Sequence, residues 1–402
     1  MTIQHFSITP ATDPKVARAA VFAAARAGSV AINDDNGVPY ALDNAQVKAL
    51  LLDKRLVGGG RAVFEMQDIP PGRFPDWYLN IMFTTEGPQH SRMRRLVGKA
   101  FTPRAIDGLR DVAAGLVTER LDLIRANGSG DLMAALSDVP TAVMCALLGV
   151  PGADVPRFIA WIDALGPIFN FMTPDQITAA AGAIESLLDY TLELHDRRKD
   201  APADDLISAL IAAEEDGDQL TREETAAMVA NLLVAGHDTT SSQIGCTLLT
   251  LLNHPQAMVD VRDDPAIIEA MVTETIRYEP SVSATFRSVV EPLALGGVDC
   301  PTGSLIFLST WTANRDPAVW PDADSFKPRR FLDPDAPRML SFGGGPHFCL
   351  GAWLARMTLE EVVRGVAALD PRLSVQPETI AWVRVLGENP GQLPVLVKGE
   401  GA

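Results

Sequence analysis

The 402-residue sequence has no run of about 18 apolar residues, which excludes a bilayer-spanning helix and leads to the expectation of no membrane anchor. Cysteine is scarce: the four, at 145, 246, 300 and 349, show neither CxxC nor His-paired spacing, which argues against a disulfide framework and a zinc site, and a reducing, cytoplasmic setting is expected. Positive charge is in deficit. The 34 Lys and Arg stand against 51 Asp and Glu, a net −17 with no basic run, which argues against nucleic acid and anionic lipid surfaces as partners. No cationic segment precedes an apolar one near the N-terminus, where Lys15, Arg18 and Arg26 interrupt an Ala-rich piece, so no secretion signal is expected. Linkers, repeats and low-complexity tracts are also lacking, and one domain over 1–402 is expected. What is present is 47% hydrophobic residues, enough to fill a large core.

Local signals describe a mainly α chain with small β-sheets, an α+β arrangement. Asp13-Pro14 places a cap and a proline at the start of a helix that Gly28 closes. A strand over 38–42 and a helix from Asn44 to Leu52 come next. The stretch from Gly58 to Glu86, rich in Gly, Pro and aromatics, reads as a long irregular loop of the kind that often binds ligands. Apolar residues at spacings of three and four predict helices over 105–126, 141–148, 176–194 and 204–213. Thr221-Arg222-Glu223-Glu224 is a capping box that opens a helical pattern running to Asn253, with Pro255 as its stop. At 1.5 Å per residue that helix is roughly 48 Å long. A further helix is bounded by Asp264-Pro265 and Glu279-Pro280. Strands are expected over 286–290, 293–295 and 305–309, then a loop from Asn314 to Arg338, and a last helix from Leu350 to about Ala367.

The most specific segment is Phe342-Gly343-Gly344-Gly345-Pro346-His347-Phe348-Cys349-Leu350-Gly351. Three glycines and a proline force a tight, non-helical backbone that lets something large and flat approach closely. Cys349 falls just before a helix N-terminus, whose free N–H groups favour a thiolate over a thiol. Such a thiolate is either a nucleophile, with His347 as a nearby base, or a metal ligand. The plain alternative is a Gly-rich turn with an inert buried cysteine.

This segment resembles the haem-binding signature of the cytochrome P-450 superfamily, Phe-x-x-Gly-x-x-x-Cys-x-Gly, matched here by Phe342, Gly345, Cys349 and Gly351. The resemblance implies haem b, iron protoporphyrin IX, between the long oxygen helix and the Cys-bearing helix. Cys349 would be the iron ligand, its sulfur donating the electron density that favours O–O cleavage, with Phe342 and Gly343 against the cofactor. Glu274 and Arg277, three apart on one helix face, resemble the family's Glu-x-x-Arg, and Arg330 in Pro328-Arg329-Arg330-Phe331 supplies the third member. Their implied role is structural; as an exposed pair they would contribute only a few tenths of a kcal/mol.

Ala235-Gly236-His237-Asp238-Thr239-Thr240 resembles the family's Gly-x-Asp/Glu-Thr, which implies Asp238 and Thr239 as the catalytic acid and alcohol that bring protons in from solvent. Read on propensity alone, the same residues suit a loop between two shorter helices. His90 and Arg94, one turn apart, resemble the family's propionate-binding His-x-x-x-Arg, although Glu86-Gly87-Pro88-Gln89 stands where many bacterial members have Asp-Pro-Pro-Glu. Arg287 and His347 fall at the other two propionate positions. On charge pattern alone, 90–95 is a basic stretch on a solvated face.

The same resemblance draws the substrate pocket from Phe83, Asn231, Val234, Ala235, Val282, Ser283 and Thr285. Asn231, one turn before Ala235, offers a substrate a polar partner or else makes a helix contact. Phe169-Asn170-Phe171-Met172 reads as a mobile lid or as ordinary core. The expected enzyme is a monomeric cytochrome P-450 monooxygenase that uses O2 to hydroxylate or epoxidise a small apolar substrate. Its electrons would come from a separate ferredoxin and ferredoxin reductase. That ferredoxin is expected to dock beside Cys349, on a basic patch of Arg92, Lys99, Arg104 and Arg356. The competing expectation is a non-catalytic haem or ligand carrier, which would need Cys349 but have no use for Asp238 and Thr239.

Overall fold

The computed structural model describes residues 3–9, 12–215, 217–369, 373–375, 379–384 and 387–397. The cap at Asp13 works as its residue type dictates: its carboxylate accepts from the backbone N–H groups of Lys15 and Val16 and starts the helix Pro14–Ala27. At Thr221 the capping box closes in both directions and opens Arg222–Leu252, a helix of 31 residues. This helix runs unbroken through 235–240, so the alternative of two shorter helices does not hold. Pro174–Asp200, Val139–Leu147, Ile268–Tyr278 and Ala352–Leu369 pack around it, and it is therefore buried on nearly every side rather than along one stripe.

A six-stranded sheet stands beside the helices in the order Gln4–Phe6, Val30–Asn33, Val38–Ala41, Leu305–Ser309, Ala284–Val289, Leu56–Gly58. Ala284–Val289 is antiparallel to both of its neighbours, and the register puts Arg287 opposite Ile306 on one side and Gly58 on the other. Apolar side chains behind the sheet, among them Val47, Leu50, Ile306 and Leu308, form a core separate from that of the helices.

Three sequence expectations change. The stretch 58–86 holds two helices, Gly60–Glu65 and Arg73–Asn80, because Phe64, Phe74, Trp77 and Tyr78 bury their rings together, with Phe64 stacked 4.1 Å from Tyr78. Helices this short are held by packing, not by propensity. The single helix expected over 105–126 is two, Pro103–Asp107 and Arg110–Asn127. Arg222–Leu252 does end ahead of Pro255, but Pro255 also takes the first position of a further helix, Pro255–Asp263, absent from the sequence reading, where its missing N–H costs no bond. No helix among the described residues is long and apolar enough to cross a membrane.

Candidate active site

The glycine-rich segment turns sharply. Gly343 and Gly345 have φ of 69° and 66°, and a Cβ on Gly345 would lie 2.8 Å from the Leu51 carbonyl oxygen. The Cys349 N–H donates to the Phe342 carbonyl at 3.0 Å, which closes the loop and presents the sulfur ahead of Ala352–Leu369. Cys145, Cys246 and Cys300 are buried, whereas Cys349 borders a cavity of about 350 Å³. Apart from that opening, protein surrounds the thiol. Burial pushes it above its ordinary value, outweighing the Gly351 N–H and the guanidiniums of Arg94 and Arg356. The helix end therefore does not by itself make a thiolate, contrary to expectation; coordination by a metal would deprotonate it.

The long helix supplies another wall through Asn231, Ala235, Thr239 and Gln243, each four residues after the last and so on one face. Thr239 Oγ1 donates to the Ala235 carbonyl at 2.8 Å and keeps its lone pairs free to accept. Ser281 Oγ donates to the Thr239 carbonyl at 3.0 Å. The Gln243 amide holds Ser281 N at 2.9 Å and the Glu279 carbonyl at 3.0 Å, fixing Pro280–Val282 against the cavity. Asn231 is 6% exposed and borders the cavity, and its side chain has no hydrogen-bond partner among the described residues.

Asp238 departs from the expected pairing. One residue along the helix is a turn of about 100°, and its carboxyl lies away from the cavity, beside Gly166, where a Cβ would meet Oδ2 at 2.7 Å. Burial pushes this carboxyl above its ordinary value, against the pull of His237. Of the expected substrate contacts, Phe83, Asn231, Ala235, Val282 and Thr285 border the cavity and two do not. Val234 points into the core at 2% exposure, and the Ser283 carbonyl is engaged by the N–H groups of Thr310 and Trp311. Sequence reasoning missed Met82, Met144, Gln243 and Phe286. Gln243 was within reach, since it continues the 231, 235, 239 spacing. Phe169 also borders the cavity, edge-on to Phe83 at 5.8 Å, and Gln67 ties its segment down by accepting from Met172 N at 2.8 Å.

His90, Arg94, Arg287 and His347 border the same cavity. Among the described residues the guanidinium of Arg287, 8% exposed, donates only to Thr285 Oγ1 at 3.0 Å and the Phe286 carbonyl at 3.1 Å. Neither it nor Arg94 has a carboxylate within ion-pair distance among the described residues, and burial lowers both from their ordinary values. A guanidinium that is buried, as at Arg287, or half-buried, as at Arg94, is costly without an anion, and its fork geometry suits a carboxylate. A flat group with a metal at its centre and carboxylates at its edge fits this donor set. His347 Nε2 meets Glu86 Oε2 at 3.0 Å, and Gly58 N donates to Glu86 Oε1 at 2.6 Å. Burial, and then the charge of His347, whose ring lies 4.2 Å away and tilted by 38°, push His90 down to about 4, so it is neutral at neutral pH.

Glu274 and Arg277 are both fully buried and bonded twice, at 2.7 and 2.8 Å. Arg277 also reaches the carbonyls of Asn314, Ala323 and Ser325, and Arg330 Nε meets Glu274 at 3.2 Å. Asn314 carries the linkage onward, accepting from Leu340 N at 2.7 Å and donating to Ser341 Oγ at 2.8 Å, immediately before Phe342. The expected basic patch does not form. Arg92 is bound to Asp218 and Glu224, each at 2.6 Å, and Arg356 lies against the Phe342 ring at 5.2 Å; only Lys99 and Arg104 are exposed.

The family model described as Cytochrome P450 matches residues 72–364. Cytochrome P450 107B1 of Saccharopolyspora erythraea is 34% identical over 361 residues, covering 87% of this chain and 86% of its own. The mycinamicin IV hydroxylase/epoxidase of Micromonospora griseorubida is 36% identical over 359 residues, 87% of each chain. The crystal structure of CalO2 superposes with a TM-score of 0.87 at 27% identity, over 98% of this chain and 100% of that one. On these similarities, and on a cavity that offers one sulfur with a buried and a half-buried guanidinium lacking an anion among the described residues, the chain belongs to the cytochrome P450 family and is a haem-dependent monooxygenase.

Proposed function

We propose that the protein inserts one atom of O2 into a C–H or C=C bond of a small, largely apolar organic substrate. The observation that carries this reading is that Thr239 and Cys349 border one cavity together with Arg94 and Arg287. A relative named as both a hydroxylase and an epoxidase supports the choice of bonds. When bound, the haem supplies the redox chemistry of oxygen activation. Cys349 Sγ would hold its iron, and Arg94 and Arg287, with His90 and His347, its propionates. Phe342 and Gly343 would lie against it. Glu274, Arg277 and Arg330 keep the loop before Cys349 in place.

On the long helix, Thr239 holds a hydroxyl at the wall, and Asp238, outside it, would carry a proton in when its side chain turns from Gly166. Among apolar neighbours such as Phe83, Ala235 and Val282, the unpartnered Asn231 would orient one polar group of the substrate. We read the chain as a single-domain monomer: Gln4–Phe6 joins the main sheet, and Pro394–Leu396 pairs with Ser129–Asp131, so strands near both ends are sewn into the body. Three buried, unpaired cysteines suit a reducing cytoplasm. Electrons would come from a ferredoxin and its reductase; the large apolar side chains Phe348 and Trp353 are exposed close to Cys349 in the chain, so that contact would be more apolar than basic.

Replacing Thr239 by Ala in the reconstituted holoenzyme tests the reading. Product formed per electron should fall while hydrogen peroxide release rises, with haem content unchanged; an unaltered ratio overturns it. Compounds that shift the haem spin state on binding would define the substrate class.

A further inference from the structure

His237 lies next to Asp238 but faces a different set of groups. It is 7% exposed, and its Nδ1 lies 2.6 Å from Thr141 Oγ1 on Val139–Leu147. Its Nε2 lies 3.3 Å from Asp163 Oδ1 on Val155–Leu165 and 3.7 Å from Asp238 Oδ1. The two carboxylates differ in surroundings: the Asp163 side chain is 62% exposed and that of Asp238 is 17% exposed. One ring nitrogen thus addresses a carboxylate in water and a carboxylate in the protein. Thr141, itself 2% exposed, engages the other nitrogen and fixes the ring.

We propose that His237 is the relay through which protons pass from solvent at Asp163 to Asp238. This rests on the reading of Asp238 and Thr239 as the acid and alcohol of oxygen activation. With Nδ1 held by Thr141, Nε2 takes a proton that solvent has delivered to the exposed Asp163 carboxylate, which returns to its charged form as the ring becomes imidazolium. Nε2 then gives that proton to Asp238 Oδ1, which restores the neutral ring and leaves Asp238 neutral; no electrons move. Only Asp163 and Asp238 lie within ion-pair distance of the ring among the described residues. The burial that raises the Asp238 carboxyl makes it a willing acceptor. Gly166, lacking a Cβ, leaves the room in which that carboxyl waits.

The test uses the haem-loaded protein and the variants His237→Gln, Asp163→Asn, Asp238→Asn and Thr239→Ala. First, the six histidines are 15N-labelled and followed by NMR against pH in the reduced, carbon monoxide-bound state. The His237 midpoint should fall in Asp163→Asn and in Asp238→Asn, since each removes a negative charge beside the ring. Second, product per electron is measured in H2O and D2O across pH. His237→Gln should lower it by about tenfold, enlarge the solvent isotope effect and flatten the pH profile, with substrate affinity and haem content unchanged. Asp163→Asn, a surface change that leaves the packing intact, should move the same readouts in the same direction and serves where His237→Gln folds poorly. A His237 midpoint indifferent to both carboxylates, or wild-type isotope effects in Asp163→Asn and His237→Gln, overturns the relay. If Asp238→Asn and Thr239→Ala are impaired while His237→Gln is not, the relay fails and the acid and alcohol stand; if those two also behave as wild type, the reading beneath it fails.

Discussion

Replacing Arg277 by Met removes a cation from a site where water cannot take its place. Arg277 and Glu274 are fully buried, and the guanidinium makes two bonds to the carboxylate and reaches three backbone carbonyls. Removing one partner of a buried pair typically costs about 3–5 kcal/mol. Glu274 would retain Arg330 at 3.2 Å and the Lys327 N–H at 2.7 Å, which places the carboxylate part at the low end; the three orphaned carbonyls then return about 1 kcal/mol or more. We expect a loss of about 4 kcal/mol, roughly a quarter or more of a typical total of roughly 5–15. Asn314 joins this cluster to Ser341, so the haem site should loosen with it. Urea unfolding followed in parallel by circular dichroism and haem absorbance measures both. As a control, Arg61→Ala breaks an exposed pair at 2.9 Å and should cost less than about 0.5 kcal/mol. A variant within about 1 kcal/mol of wild type, with full haem, would refute the claim that this pair holds the core.

The remaining predictions concern the cavity. Asp238 has a raised carboxyl, so between the ordinary carboxylate value and the raised one the folded state binds more protons than the unfolded, and stability falls as pH rises through that window. Asp238→Asn removes the penalty: its urea midpoint should exceed that of wild type at neutral pH, and the gap should narrow as pH falls toward the ordinary carboxylate range. Arg287→Met should leave the apoprotein no less stable, because it relieves a buried, unpaired cation, yet lower the haem-to-protein ratio; equal haem retention would count against propionate binding. Gly345→Ala combines a left-handed φ with a Cβ pressed on the Leu51 carbonyl, and should cost about 1–2 kcal/mol or more and reduce haem content, read by absorbance after purification.

Much of this was legible because its causes are local. Asp13 and Thr221 cap their helices through bonds to residues two or three positions on, and the glycines around 343–345 announce a backbone few other residues adopt. The helical phase also separates Thr239 from Asp238, and applied strictly it would have turned Asp238 and Val234 away from a face that holds 231, 235 and 239. Other features depend on distant partners. Arg92 is taken out of the surface by Asp218 and Glu224, more than 120 residues on, and Arg356 is drawn against Phe342 by the turn of the loop. The helices within 58–86 exist because Phe64, Trp77 and Tyr78 find one another in a core that no window of sequence displays. Glu274 and Arg277 spell an ordinary helical pair, and only the carbonyls gathered from 314, 323 and 325 reveal it as buried.

The account depends above all on Cys349 binding iron through sulfur. Reduced protein exposed to carbon monoxide should give the absorption band peculiar to haem with an axial thiolate, and Cys349→His should abolish that band while the protein remains folded. A purified protein without haem, or a band that survives in Cys349→His, would contradict it.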